Sequence, residues 1–106
     1  MTSFNISPRK MIPFFLYFKI GRWWRKGEEI DIVAICENTL IVCEVKWTNK
    51  PVGSSVLYNL QRKAGLLQED VKKNFKKVIY YLFSKSGFAG MKPQDNLVMV
   101  NLEDIK

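Results

Sequence analysis

The first half of this chain contains apolar segments rich in aromatic and β-branched residues, of which 29–36 is apolar on one face in the two-residue period of a β-strand. Segments 14–24, 29–36 and 40–47 predict three strands, with turns at Gly27 and at 37–39. Segment 40–47 is almost entirely apolar, which is typical of a strand covered on both faces. The pattern therefore predicts an antiparallel meander of three strands.

After residue 53 the spacing of apolar residues changes to intervals of three and four, which predicts a helix. Ser54 or Ser55 is the predicted N-cap. These apolar positions are Leu57, Leu60, Ala64, Leu67 and Val71. The apolar run 78–83 predicts a buried parallel strand reached by a right-handed helical crossover, and 97–102 predicts a last strand. The order β-β-β-α-β-β indicates an α/β protein with one mixed sheet in a three-layer plan.

A chain of 106 residues is large enough for one hydrophobic core and too short for two. No repeat or linker divides it, so we expect a single domain over residues 14–106. Residues 1–13 contain two prolines and little periodicity, and they predict an irregular N-terminal arm.

The charge of the chain narrows the classes of function. Seventeen Lys and Arg against ten Asp and Glu give a net charge of 17 − 10 = +7, which favours contact with nucleic acid, although solvated lysine-rich faces are also common. The sequence contains no His, which excludes histidine general bases, His-ligated zinc and Ser-His-Asp triads. Any catalysis must therefore use carboxylates, lysine or a bound cation.

Cys36 and Cys43 lie within apolar runs without metal-ligand spacing, so we expect buried reduced thiols and a cytoplasmic protein. The apolar run 11–18 is interrupted by Pro13 and is too short to cross a bilayer. The sequence therefore predicts no membrane association.

Asp31, Glu44 and Lys46 lie in two strands whose composition is otherwise typical of buried strands. Side chains alternate across a strand, so Asp31 is predicted to share a face with Glu29 and Val33 and to lie opposite or diagonal to Glu44 and Lys46. One interpretation is an ion pair that neutralises itself within the sheet. The other is a catalytic site, because function is a common reason to accept charge in a buried strand.

The chemistry of a phosphodiester hydrolase fits these residue types. Mg²⁺, or Mn²⁺ in its place, prefers carboxylate and carbonyl oxygens, so Asp31, Glu44 and the Val45 carbonyl are candidate ligands. Lys46 would orient the attacking water or stabilise the developing charge. Candidate nucleic-acid contacts are Arg22, Arg25, Lys26, Lys50, Gln61 and Lys63. Trp23, Trp24 and Trp47 would either stack on bases or, as we favour, pack in the protein.

The segment GRWWRKGEEIDIVAICENTLIVCEVKWTNKPV resembles the C-terminal domain of archaeal ATPases, a family of unassigned function placed in the PD-(D/E)XK nuclease superfamily. The resemblance runs from about residue 18 to the end of the chain, and GRWW, EIDIVA and Glu-x-Lys-Trp are its most specific parts. It implies a restriction-endonuclease-like fold and DNA cleavage with Mg²⁺ at Asp31, Glu44 and Lys46. It also implies an ATPase partner, and the chain looks like a detached or truncated module of such a protein.

The sequence departs from the superfamily pattern in one respect. Many members use an acidic residue from a helix before the first strand, and this chain has no acidic residue before Glu28. Three alternatives are open. Glu28 or, as the better candidate, Glu29 replaces that ligand; another chain supplies it; or the site is incomplete. An inactive module that binds DNA or docks an ATPase is therefore the alternative function, and sheet edges and faces left uncovered predict a homodimer.

Overall fold

A computed structural model of the chain describes the backbone of residues 2–8 and 19–104 and the side chains of residues 21–104. Its elements are β1 (Thr2–Pro8), β2 (Lys19–Arg25), β3 (Glu28–Cys36), β4 (Thr39–Lys46), α1 (Ser54–Asp70), β5 (Lys77–Ser84), β6 (Leu97–Asn101) and a 3₁₀ turn (Leu102–Asp104). One six-stranded sheet contains the strands in chain order, antiparallel from β1 to β4 and parallel from β4 to β6. The predicted mixed α/β architecture with an antiparallel meander and a helical crossover is confirmed.

The prediction of an irregular arm over residues 1–13 is wrong for Thr2–Pro8, which form β1 and pair with β2 in antiparallel register. Phe4 and Ile6 alternate with polar residues, a strand pattern that was too short to be decisive. Pairing with β2 supplies the backbone partners that this short segment needs. Residues 9–18 lie outside the described residues, and with them the apolar run 11–18 and positions 14–18 of the predicted strand 14–24, whose positions 19–24 lie in β2.

A two-residue hairpin at Lys26 and Gly27 joins β2 to β3, with φ of 46° and 83° at these positions. Positive φ at both residues is characteristic of the tight hairpins whose twist matches the flanking strands, and glycine adopts it without steric cost. Glu37, with φ of 55°, begins the equally short turn between β3 and β4. Both turns fall where the sequence predicts them.

A β-bulge interrupts β3 and changes which of its residues share a face. The pairing with β2 shifts between Gly21–Val33 and Trp23–Ile30, so β3 has one extra residue there. As a result Ile30 and Val33 are both fully buried, although residues three apart in a regular strand point to opposite faces. The prediction that Glu29 and Val33 share a face is therefore wrong.

Helix α1 packs on one face of the sheet through the apolar residues that the sequence indicates, Leu57, Leu60, Ala64 and Leu67. Its N-cap is Gly53, which forms no side-chain capping bond, so the predicted serine cap is wrong, and Val71 lies just beyond the helix as its C-cap. No helix within residues 2–8 and 19–104 is long and apolar enough to span a membrane. In the described part of the chain one helix covers one sheet face, which gives two layers where three were predicted.

Candidate functional site

The carboxylate of Glu44 lies between two lysines on the helix-covered side of the sheet. Its Oε2 is 3.4 Å from Lys46 Nζ, and its Oε1 is 3.9 Å from Lys63 Nζ. The side chains of Glu44 and Lys63 are each 13% exposed, whereas that of Lys46 is 40% exposed. The three groups carry a net charge of +1. The ammonium group of Lys46 is the most accessible of the three to solvent.

The alternation of β4 explains why these residues meet. Leu40 and Val42 are fully buried beneath α1, and Glu44 and Lys46 continue the same face towards the end of the strand. Lys63 precedes the buried Ala64 on α1 and therefore lies at the side of the helix nearest the sheet. The crossover between β4 and β5 thus brings the predicted lysine contact to the Glu-x-Lys strand.

A cleft of about 280 Å³ opens at this point, lined by Glu44, Lys46, Ser55, Val56 and Asn59. Two lining groups are hydrogen-bonding side chains from the first turns of α1, and two are the charged pair of β4. The lining therefore combines hydroxyl, amide and ammonium donors with one carboxylate, a set that suits a phosphate group.

Asp31 lies beside this cluster in the strand register. Ile32 pairs with Cys43, so Asp31 and Glu44 are the next residues along their strands. Asp31 is exposed, and it forms no ion pair or hydrogen bond with any side chain between residues 21 and 104. It belongs to the bulge opposite Arg22, a position where bulges commonly redirect side chains.

The Val45 carbonyl points towards the same gap between β3 and β4. The Lys46 carbonyl accepts a hydrogen bond from the Lys85 amide at 3.0 Å, which directs it towards β5. Successive carbonyls of a strand alternate in direction, so that of Val45 faces β3. The paired register of these strands ends at Ile32 and Cys43.

Carboxylate and carbonyl oxygens are the donor types that a hard cation prefers. In residues 2–8 and 19–104 no group of three or more acidic, cysteine or histidine side chains is arranged to hold a metal ion. A cation at this place would therefore depend on Asp31, Glu44 and the Val45 carbonyl.

The two acids considered as substitutes for an upstream ligand are bound to arginines. Glu28 accepts two hydrogen bonds from Arg62, at 2.7 and 2.9 Å, and this contact lowers the pKa of Glu28 and raises that of Arg62. Glu29 accepts a hydrogen bond from Arg22 at 2.9 Å. Because Glu29 neighbours the buried Ile30, it lies on the face opposite α1, away from Glu44.

The other predicted nucleic-acid contacts are dispersed. Arg22 lies over the ring of Trp24, at 5.8 Å from its centroid, while Lys26 is in the β2–β3 hairpin and Lys50 in the loop before α1. Arg25 ends β2, opposite Glu28 across the strand pair, and Gln61 is a half-buried residue of α1. Of this predicted set, Lys63 is the residue that contacts Glu44.

The tryptophans divide between packing and exposure. Trp23 is fully buried, and its indole donates a hydrogen bond to the Asp70 carboxylate at 2.9 Å, so the predicted packing role is confirmed for this residue. Trp24 is 37% exposed and Trp47 is 67% exposed. Lys85 lies 5.3 Å from the Trp47 ring centroid.

Sequence reasoning missed Ser55, Asn59 and Arg62. A signal was present, because Ser55, Asn59 and Lys63 recur at four-residue spacing and form one polar stripe along α1. The apolar positions of this helix give the stronger sequence signal, and the polar stripe lies beside them. The contact of Arg62 with Glu28 joins residues 34 positions apart and has no local signal in the sequence.

Comparison with known proteins places the chain in a family. An uncharacterized protein of Methanocaldococcus jannaschii is 47% identical over 49 residues, which cover 42% of this chain and 11% of that protein. The chain thus spans about a tenth of the length of this relative, and no solved structure matches it significantly. The placement in the PD-(D/E)XK superfamily stays a prediction. Residues 4–65, more than half of the chain, match the DUF234 family of archaeal and bacterial proteins of unknown function, and the protein belongs to that family.

Proposed function

We propose that this domain is a Mg²⁺-dependent nuclease that hydrolyses phosphodiester bonds of DNA at the cleft beside Glu44. The observation that carries the proposal is the Glu44 carboxylate held between Lys46 and Lys63 at the edge of an open cleft. The exposed Asp31, next to Glu44 in the strand register, supports it by supplying a second carboxylate.

Each group has a distinct part in such a reaction. A divalent cation supplies charge neutralisation and lowers the pKa of a bound water. Asp31, Glu44 and the Val45 carbonyl are the oxygen donors that would hold it. Lys46, the more exposed lysine, is suited to orient the attacking water and to stabilise charge on the phosphate oxygens.

The cleft is also suited to bind the DNA backbone. Ser55 and Asn59 line it with neutral hydrogen-bond donors, while Lys46 and Lys63 outweigh the one carboxylate that they contact. The net charge of +7 adds a long-range attraction for a polyanion.

A second candidate function is a module of the same kind that binds DNA, or docks an ATPase, without cleavage. Glu28 and Glu29 favour it, because each is paired with an arginine and neither lies beside Glu44 to act as a further ligand. Two lysines around Glu44 also compete with a cation for its carboxylate.

Incubation of plasmid, branched and single-stranded DNA with Mg²⁺ or Mn²⁺ separates these candidates. We expect cleavage by the wild type that is lost in Asp31→Asn and in Lys46→Met. Lys76→Met is the matched control, because Lys76 is exposed and precedes β5, at the opposite end of the parallel strands from the cleft. The nuclease proposal fails if no substrate is cut, or if cutting persists in both site variants. DNA binding that weakens with salt and survives the Asp31 substitution would then support the second candidate.

A further inference from the structure

The sheet has a second face that α1 does not cover. It contains the side chains that alternate with the core residues of β3 to β6, and we call these residues the open face. They are Ile32, Ala34, Ile41, Cys43, Val45, Ile79, Tyr81, Phe83, Val98 and Val100. The hydrophobic core beneath α1 is built from the other face of these strands and includes none of them.

Three residues of the open face are exposed to solvent, while Cys43 is buried and the others are half-buried. Ile32, Val45 and Val98 are 41%, 39% and 36% exposed, and Trp24 extends the same face onto β2. Tyr81 and Phe83 stack with their ring centroids 6.1 Å apart. Scattered exposed apolar residues are normal, but a contiguous patch of this kind commonly marks a contact surface.

Charge is confined to the border of the open face. Its ten residues include no ionised side chain at neutral pH in a chain with 17 Lys and Arg, and the Arg22–Glu29 pair beside Trp24 is internally compensated. Nucleic acid binding depends on cationic side chains, so this face is poorly suited to it. A surface without charge lets two copies of a protein with a net charge of +7 approach through apolar contact.

The size of the face agrees with a dimer contact of modest strength. Strands about 4.8 Å apart and residues rising about 3.3 Å give roughly 300 Å² in projection for four strands over five residues. The corrugated accessible surface is larger than its projection. Stable interfaces bury about 800 Å² on each partner and weaker ones less than about 600 Å², so a face of this size belongs to the weaker class.

We propose that the open face is a homodimer interface, at which two copies pack sheet against sheet. Twisted sheets pack face to face with their strands within about 30° and about 10 Å apart, so a sheet face is complementary to a copy of itself. The contact lies on the face opposite Glu44 and leaves both clefts accessible. It is independent of the proposed nuclease activity.

Sedimentation velocity across a range of protein concentrations tests the interface. We expect the wild type to convert from monomer to dimer as concentration rises, with a doubling of apparent mass. Val98→Lys places a charge within the open face and is expected to keep the protein monomeric. The matched control is Tyr58→Lys, since Tyr58 is 76% exposed on α1, and it is expected to dimerise like the wild type.

Circular dichroism melting of both variants separates a lost contact from a lost fold, because Val98 is a partly exposed residue whose replacement leaves the core intact. Acrylamide quenching gives a second measurement, in which protection of Trp24 is expected to increase with concentration in the wild type and not in Val98→Lys. A wild type that stays monomeric, for example because another segment of the chain covers the face, overturns the proposal. Dimerisation that Val98→Lys leaves intact, or that Tyr58→Lys abolishes equally, also overturns it.

Discussion

Substitution of Lys63 by Met is expected to change two affinities of the cleft in opposite directions. Lys63 Nζ lies 3.9 Å from the Glu44 carboxylate that a divalent cation would use. Methionine keeps most of the aliphatic length of lysine while removing its charge, which preserves packing at a side chain that is 13% exposed. The change should strengthen binding of Mg²⁺ and weaken binding of DNA.

The magnitude follows from the distance and the partial burial. Two unit charges 3.9 Å apart interact by about 4 kcal/mol at an effective dielectric constant of 20. Measured ion pairs near a surface contribute about 0.2 to 1 kcal/mol, because solvent and side-chain entropy oppose the attraction. Lys63 and Glu44 are largely buried, so we take about 1 kcal/mol, which corresponds to roughly five-fold tighter binding of the cation.

Calorimetric titration with Mg²⁺ or Mn²⁺ measures the first affinity, and fluorescence anisotropy of a labelled duplex at several salt concentrations measures the second. Loss of one phosphate contact should reduce the slope of log affinity against log salt by about 0.9. Lys76→Met controls for net charge alone, since it removes the same charge far from Glu44. If both affinities fall in Lys63→Met, or if the control strengthens cation binding equally, the competition between Lys63 and a cation is refuted.

Three further outcomes test the fold around the site. Trp23→Phe removes a partly buried hydrogen bond to the Asp70 carboxylate and part of a packed ring, so urea unfolding should show a loss of about 2 to 3 kcal/mol. The exposed Trp24→Phe should lose less than about 1 kcal/mol, and equal losses would contradict this. The arginine bound to Glu28 lowers the pKa of that carboxyl below 4.5, so its stabilisation is present above pH 4.5 and lost as pH falls below it. The melting temperature of Glu28→Gln should therefore vary less over this acidic window than that of the wild type, and parallel curves would show no such linkage. Burial raises the pKa of Cys43 to about 11, so in Cys36→Ser the remaining thiol should react slowly with a disulfide reagent until the protein unfolds. The half-buried Cys36 should react faster in Cys43→Ser. Comparable reaction rates for the two variants would disprove this difference.

The elements that carry the site are predictable from sequence because their patterns are strong and local. The predicted bounds of the strand containing Glu44 and of the strand before it differ from β4 and β3 by one residue. Apolar runs of eight residues, rich in β-branched side chains and bounded by two short turns, fix the register of such a hairpin. The approach of Asp31 to Glu44 in the strand order follows from this register alone.

The remaining features depend on partners that are distant in the chain. The contact of Lys63 with Glu44 depends on how α1 is rotated about its own axis where it packs over β4. The apolar periodicity of the helix defines this rotation only approximately, because the apolar stripe is broad. The strand β1 is stabilised by pairing with β2 and not by its own short pattern. The pairing of Glu28 with Arg62 likewise joins residues 34 positions apart.

The bulge in β3 links the packing of the core to the composition of the site. Trp23 is fully buried opposite Ile30, and Val33 is fully buried opposite Gly21, so the sheet needs both β3 residues on the α1 side. A regular strand would place one of the two on the open face. The extra residue removes this conflict, and its consequence is that Asp31 lies in an irregular stretch where strand pairing with β4 has ended. Burial of two apolar residues therefore accounts for the irregular, exposed position of Asp31, which is next to Glu44 in the strand register, while the same shift turns Glu29 to the face opposite α1.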